Sequence, residues 1–441
     1  MQGFMIAGTA SRSGKTTITL ALMARMVAQG FDVHPFKAGP DFIDPEWHTL
    51  ITGRPSYALD TMMVGREESL NRFHTQLQHA STADHPIGIV EGVMGLFDGR
   101  AGVGKSGSTA DLARALNLPV ILVVHARGMA GSLVPLVDGF CQHATGFRIA
   151  GIIANQVGSP RHAEQLRTLL SEHDLPPLIG WMARSPESTL NERHLGLVLP
   201  DDHTPLNSNS IQDALTLDTK ALLNVIGPWQ PPSRIDETPA SVAPPVRLPK
   251  GRSIAVAKDA AFRFIYPANL AWLKAQGITI RTFSPVAGEA VPAGVDGIWL
   301  PGGYPELHAE ALSCSATWQT LHAYLDENDP DTGGYILAEC GGMMALGDAL
   351  TDHQGRRWPM AGVLPIETRM TPKLAGLGYR HDASGVRGHE FHHSVRDTSP
   401  LPAAFEPDRG DGGILHGNIR ASYIHWYFPS SPVVLSWLMP T

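Results

Sequence analysis

The segment Gly8-Thr9-Ala10-Ser11-Arg12-Ser13-Gly14-Lys15-Thr16-Thr17 lies between a short apolar run, Gly3-Phe4-Met5-Ile6-Ala7, and a helix-like stretch from Thr16 to Gln29. A strand that turns through small residues into a helix aims backbone N–H groups at whatever sits above the turn. The helix N-terminus adds partial positive charge, Lys15 adds a full one, and the Thr16 hydroxyl suits a magnesium ion. Ser13, Gly14, Lys15, Thr16 and Thr17 are therefore candidate ATP-binding residues. A fold that uses them must place this turn at the carboxyl end of a buried strand.

The rest of the N-terminal half agrees. Ile87-Gly88-Ile89-Val90, Pro119-Val120-Ile121-Leu122-Val123-Val124 and Ala150-Gly151-Ile152-Ile153-Ala154 read as strands buried on both faces, alternating with helix-like stretches at Ala110–Leu116 and Ala163–His173. That order predicts an α/β domain with a parallel sheet covered by helices. In Ile89-Val90-Glu91-Gly92 an acidic residue ends a strand within reach of a magnesium ion. In Phe36-Lys37-Ala38-Gly39-Pro40-Asp41-Phe42-Ile43-Asp44, one cation and two carboxylates share a turn where they can meet the γ-phosphate, its metal and a second substrate. Thr16, Asp41 and Glu91 are the expected magnesium ligands, and Lys37, Asp41 and Asp44 the expected acyl-phosphate and substrate residues. Plain turn chemistry is the competing reading for the two aspartates.

From Gly227 to Gly251 the chain becomes proline-rich and loses any period of 3.6 or 2. Repeated proline removes amide donors and favours extended chain. The expected division is a ligase domain over 1–227, a linker over 228–251 and a second domain over 252–441. In the last, Ile254-Ala255-Val256-Ala257, Ile278-Thr279-Ile280-Arg281, Gly297-Ile298-Trp299-Leu300 and Tyr335-Ile336-Leu337-Ala338 repeat the α/β theme.

Within that second domain, the strand ending Ala338-Glu339-Cys340-Gly341-Gly342 runs straight into a helix-like segment. Such an elbow is expected to expose the sulfur and set it at a helix N-terminus. There the dipole lowers the thiol pKa and the following amide, that of Gly341, can hold an oxyanion. Cys141 and Cys314 have no glycine elbow and read as buried structural cysteines. A thiol nucleophile needs a base, and His425 in Tyr423-Ile424-His425-Trp426 is the candidate, with a packed core histidine as the alternative. Gly302 and Gly303, directly after the strand Gly297–Leu300, can bring a second oxyanion amide close. Gly388-His389-Glu390-Phe391-His392-His393 contains H-E-x-x-H, but its surroundings do not favour the helix a zinc protease needs.

Composition sets the outer limits. At 441 residues, with 43% hydrophobic and 17% charged residues, the chain is a globular protein of more than one domain. A formal charge of −8 argues against a broad nucleic-acid surface. No run approaches the roughly 18 apolar residues of a membrane span, and the N-terminus lacks the pattern of a signal peptide. The three cysteines are too far apart in sequence for a zinc knuckle or a disulfide framework, which fits a reducing, cytoplasmic setting. A homodimer is admitted but not required.

Taken together, these motifs resemble the cobyrinate a,c-diamide synthase family, and the likeness covers nearly the whole chain. It is carried by Gly8–Thr17, whose spacing is similar to the dethiobiotin-synthetase type of P-loop, and by Lys37–Asp44, Val90–Gly99, Arg193–Val198, Lys258–Tyr266, Pro301–Glu306, Ala338–Met344 and Gly388–His392. The resemblance implies a P-loop amide ligase joined to a class I-like glutamine amidotransferase. Cys340, activated by His425, would release ammonia from glutamine in a pocket including Gly302, Gly303 and Gly341. ATP and Mg2+, held by Lys15, Thr16 and Glu91, would activate a carboxylate of an acidic tetrapyrrole, with Asn155 at the nucleotide base. Sister amidases acting on sirohaem or nickel sirohydrochlorin share both motifs. A P-loop switch ATPase would explain Lys15 and Thr16 but leave the second domain unused. Tyr427 stands where many class I glutaminases carry a glutamate two residues after the histidine, so the partner that orients His425 is not visible in the sequence.

Overall fold

Strands of the N-terminal half are apolar on both sides because helices cover both faces of their sheet. In the computed structural model, which describes residues 1–78, 85–99, 106–184, 212–232, 251–328 and 334–440, the chain forms two compact units, Met1–Glu237 and Thr238–Thr441. Most of the proline-rich stretch and the segment Arg193–Val198 lie outside the described residues.

Unit 1 runs β1 (Gln2–Gly8), α1 (Lys15–Ala28), β2 (Asp32–Ala38), α2 (Ile43–Thr52), β3 (Tyr57–Leu59), α3 (Arg66–Gln78), β4 (Pro86–Gly95), α4 (Thr109–Leu116), β5 (Val120–His125), α5 (Leu133–His143), β6 (Ile149–Val157), α6 (Pro160–Glu172), β7 (Leu178–Ala183) and β8 (Leu215–Leu217). The sheet order is β3-β2-β4-β1-β5-β6-β7-β8, parallel except for β8. Phe4 and Ile6 pack with Ile18 and Leu22 of α1 on one face, while Met5 and Ala7 join Leu112 and Leu116 of α4 on the other. Each of the buried Phe, Ile, Leu and Met side chains among these contributes about 1.5–3 kcal/mol. Because β4 lies between β1 and β2, Lys37 and Glu91 become direct neighbours in the ladder despite their distance in sequence. The strand does not stop at Glu91, as the sequence suggested, but continues to Gly95. The β1–β4 register is regular up to Ile6 and Glu91 and shifts beyond them, so Glu91 sits where even pairing breaks.

Unit 2 holds β9 (Ser253–Ala257), β10 (Thr279–Phe283), β11 (Gly297–Leu300), β12 (Tyr335–Glu339), β13 (Gly347–Thr351), β14 (Arg357–Pro359), β15 (Leu364–Met370), β16 (Gly376–His381), β17 (Arg387–His392), β18 (Ser394–Arg396), β19 (Ile414–His416), β20 (Ile419–Ser422) and β21 (Ile424–Tyr427). The main sheet has the order β10-β9-β11-β12-β20-β19, parallel but for β19. The α/β expectation holds in both units. The sequence did not foresee two smaller sheets, β14-β13-β15-β18 and β16-β17-β21. The last of these carries His425, whereas Cys340 follows β12 of the main sheet.

Candidate functional site

In unit 1 the P-loop turns at Gly14, whose φ of 87° is left-handed and whose missing Cβ leaves room for the Asn155 side chain. Asn155 Nδ2 donates to the Ser13 carbonyl at 3.1 Å, so this residue braces the loop. The Ser13 hydroxyl is buried with no hydrogen-bond partner, an orphan donor within a loop shaped for oxyanions. Lys15 opens α1 with its pKa lowered, by burial first and by the nearby Lys37 ammonium second. Thr16 Oγ1 donates to Glu91 Oε1 at 2.7 Å and stands 3.4 Å from Asp44 Oδ2, while Thr17 is half-buried in the same turn.

Lys37 lies at the centre of this group. Its ammonium bonds Asp44 Oδ2, and it stands 3.2 Å from Glu91 Oε1 and 3.6 Å from Asp41 Oδ2. Burial alone would lower its pKa, yet the carboxylates of Asp44, Glu91 and Asp41 overcome that and raise it. Glu91 is the mirror case: burial pushes it up, but Lys37, His48 and Thr16 hold it below its ordinary value. Asp44 is raised, by burial and by the negative charge of Asp41 and Glu91. The two aspartates divide their work differently than the sequence suggested. Asp41 Oδ1 accepts the backbone N–H groups of Ile43 and Asp44, capping α2, so turn chemistry occupies part of Asp41 and not Asp44. Asp44 Oδ2 is the aspartate oxygen brought to Thr16. Oxygen donors from a hydroxyl and carboxylates are the set that Mg2+ prefers, and the residues fit such an ion.

Sequence reasoning missed His48. It is fully buried on α2, with Nε2 at 2.7 Å from Glu91 Oε2 and Nδ1 at 3.0 Å from Ser56 Oγ. An ionised carboxylate only accepts, so Nε2 carries the proton. No linear motif joins His48 to Glu91; the link exists only because α2 packs on β2, which pairs with β4.

In unit 2 the Cys340 elbow is real, with φ 46° and ψ −106°, a conformation a non-glycine residue adopts only when its surroundings enforce it. Cys340 N–H donates to Ser422 O at 2.7 Å. The sulfur, however, is not exposed: Cys340 is 5% accessible. Its thiol is pushed up to about 12, by burial and then by the Glu306 carboxylate, with Glu339 and Glu390 adding to the effect against the Gly341 amide. The following helix, Gly341–Leu346, is too short for its dipole to outweigh this, and the expected low thiol pKa is not found. The other cysteines also reverse expectation, since Cys141 is half-buried and Cys314 exposed.

Gly302, Gly303 and Gly341 converge here. A Cβ on Gly302 would land on the His425 ring, and one on Gly341 would lie 3.0 Å from the Gly303 nitrogen. The elbow amide, the second glycine loop and the imidazole therefore share one small space. His425 is 2% accessible, and burial, reinforced by His389 and His392, pushes its pKa down to about 3. It is a neutral imidazole, able to accept a proton. His389 lies opposite His425 in the β17–β21 ladder. Of the H-E-x-x-H segment, His389 to His392 belong to the strand β17 and His393 follows its end, so no helix brings His389 and His393 onto one face, and His392 Nε2 pairs with Glu390 Oε1 at 2.8 Å. Among the described residues no group of three or more His, Cys, Asp or Glu is arranged to hold a metal ion.

With both centres laid out, relatives identify the combination. The chain is 38% identical to the cobyrinate a,c-diamide synthase of Herminiimonas arsenicoxydans over 97% of its own length and 94% of the relative's. The chain belongs to the cobyrinate a,c-diamide synthase family. It is 39% identical to the enzyme of that name from Syntrophotalea carbinolica (97% of this chain, 96% of the other), and 38% identical to the hydrogenobyrinate a,c-diamide synthase of Stutzerimonas stutzeri (99% and 97%). Residues 253–433 match the CobB/CobQ-like glutamine amidotransferase domain, and residues 2–189 match an AAA domain. The chain is thus an ATP-dependent ligase with a glutamine amidotransferase domain. Among the described residues no helix is long and apolar enough to cross a membrane.

Proposed function

We propose that this chain uses ATP and glutamine to amidate the a and c acetate side chains of cobyrinate, or of hydrogenobyrinate, in cobalamin biosynthesis. The observation that carries this reading is identity of 38–39% over nearly the full length of relatives bearing those names. The proposed division of labour is ligase 1–227, linker 228–251 and amidotransferase 252–441.

In the amidotransferase, neutral His425 takes the Cys340 proton as the sulfur attacks the side-chain amide of glutamine. The thiol's high pKa means that the thiolate forms at that moment and does not wait as a standing anion. The Gly341 and Gly303 amides hold the developing oxyanion, with Gly302 giving the imidazole room. The His425 proton leaves with ammonia, and water hydrolyses the thioester to glutamate and the free thiol.

In the ligase, the loop amides around Ser13 and Gly14 and the ammonium of Lys15 hold the phosphates, with Thr17 in the same turn. Asn155 acts by bracing the loop, a role supported by its bond to Ser13 O. Thr16, Glu91 and Asp44 would hold Mg2+, which would neutralise phosphate charge; Asp41 contributes mainly by shaping α2. A substrate carboxylate attacks the γ-phosphorus and displaces ADP. Lys37, held by Asp44, Glu91 and Asp41, would stabilise the transferred phosphoryl group by exchanging one of those carboxylate contacts for it. Ammonia then attacks the acyl carbon and expels phosphate, and its delivery before protonation by bulk water is what joining the two activities achieves. Three free cysteines fit a cytoplasmic setting.

The test offers cobyrinate, hydrogenobyrinate, sirohydrochlorin and sirohaem separately with ATP, Mg2+ and glutamine, and follows product mass. Diamide from the first two, with ADP, is expected. Amidation of sirohaem or sirohydrochlorin alone would transfer the assignment to the sister amidases.

A further inference from the structure

Glu339 immediately precedes the nucleophile, and it is 1% accessible. A carboxyl group in such a place is costly unless its oxygens are satisfied. Here Glu339 Oε2 accepts Trp299 Nε1–H at 3.1 Å, and Oε1 accepts the backbone N–H of Trp426 at 2.9 Å. The neighbourhood is otherwise apolar, with Trp299, Leu337, Ile424, Trp426 and Phe428 in one buried cluster. Burial pushes the Glu339 acid up to about 8, with only the two N–H donors opposing it.

The two donors are not arbitrary. Trp299 is on β11, the strand that delivers Gly302. The Trp426 nitrogen belongs to the peptide unit whose carbonyl is that of His425. β12 and β21 lie in different sheets, so no shared ladder fixes one against the other. Asn269 holds the far side of the same residue, donating from Nδ2 to Trp426 O at 2.8 Å, and it accepts the N–H of Phe428 at 2.9 Å. The His425 backbone is thereby clamped, and Glu339 is the side of the clamp that also reaches the cysteine strand.

We propose that Glu339 is a positioning residue of the glutamine-using centre, one carboxyl group that locks the strands bearing Gly302, Cys340 and His425 at fixed spacing. It touches no substrate and acts through the placement of sulfur and imidazole. This rests on the reading that Cys340 and His425 carry the glutaminase chemistry.

The test compares Glu339→Gln with wild type in glutamine-dependent and ammonia-dependent synthesis. Glutamine keeps the volume but replaces one accepting oxygen with an NH2 group, which then confronts either the indole or the Trp426 N–H. The expected result is a loss of about 10²-fold in kcat with glutamine, the scale of an ångström-sized misplacement. KM for glutamine and turnover with ammonia stay within about twofold of wild type, on the scale of a few tenths of a kcal/mol. Trp299→Phe in the Glu339→Gln background removes the indole donor and frees the amide oxygen for Trp426, so it should recover about tenfold of the lost kcat, the part that runs through the His425 strand, while the part that runs through β11 stays lost. Full glutamine activity in Glu339→Gln, or no recovery in the double variant, overturns the proposal. If instead Cys340→Ala keeps glutamine-dependent synthesis, the underlying reading falls and not merely the role of Glu339.

Discussion

Around Lys37 an ammonium and three carboxylates crowd within 3.6 Å, and each holds the next in its charged or protonated state. Around Cys340 the corresponding groups are kept uncharged: a thiol raised to about 12, an imidazole lowered to about 3, and a glutamic acid raised to about 8. Burial is the leading influence in both regions, but only around Lys37 do opposite charges counter it, while Cys340, Glu339 and His425 have none beside them. The difference follows from the chemistry. Phosphoryl transfer moves a large standing charge and needs fixed countercharges. Amide cleavage creates its charge transiently, so neutral donors and acceptors held in place suffice.

The sharpest way to break this comparison is to delete the group each centre depends on. Cys340→Ala should cost at least about 10⁴-fold in glutamine-dependent synthesis, the scale expected for loss of a covalent nucleophile, while ammonia-dependent synthesis persists. Equal loss with both nitrogen sources would merge the two centres into one. Lys15→Ala should cost about 10³-fold with either nitrogen source, measured as ADP released. Retained turnover would remove the P-loop from the chemistry.

Finer substitutions sharpen the contrast. Gly302→Ala puts a methyl group into the His425 ring and should lower glutamine hydrolysis about 10²-fold, leaving ammonia use intact. His48→Ala removes one donor from Glu91 and should weaken Mg2+ binding by about tenfold, read by titrating Mn2+ as a paramagnetic probe. The unit 2 reaction should be untouched by that change.

The smallest effect concerns pH. Because His425 takes its proton near 3 instead of 6.5, acidifying from about pH 6.5 to 5 leaves it neutral, and kcat/KM for glutamine should change less than about twofold. An acid limb centred on 6.5 would mean a hydrated imidazole. The same depressed value gives a stability contribution present above pH 6.5 and lost as pH falls toward 3, since the unfolded chain takes the proton first.

What the sequence disclosed was whatever is local along the chain. The P-loop and the cysteine elbow each run through consecutive residues from strand to helix, so their geometry follows from neighbours. His48 and Glu339 were illegible because their partners, Glu91 and Trp426, lie 43 and 87 positions away and meet them only through packing. The thiol pKa failed for a related reason: a helix dipole can be read from adjacent glycines, but depth of burial cannot. The turn by itself points to Asp41 as the magnesium ligand, and only the start of α2 assigns Asp41 to capping and brings Asp44 to Thr16.

The Lys37 cluster carries a further implication for how the nucleotide is received. With Lys15 and Lys37 set against Asp41 and Glu91, and with Asp44 pushed toward its protonated form, the cluster is already close to electroneutral. An arriving polyphosphate accompanied by its divalent counterion therefore swaps one balanced arrangement for another. Nucleotide capture at such a cluster would be governed by rearrangement of internal ion pairs more than by long-range attraction, and so would be only weakly sensitive to ionic strength.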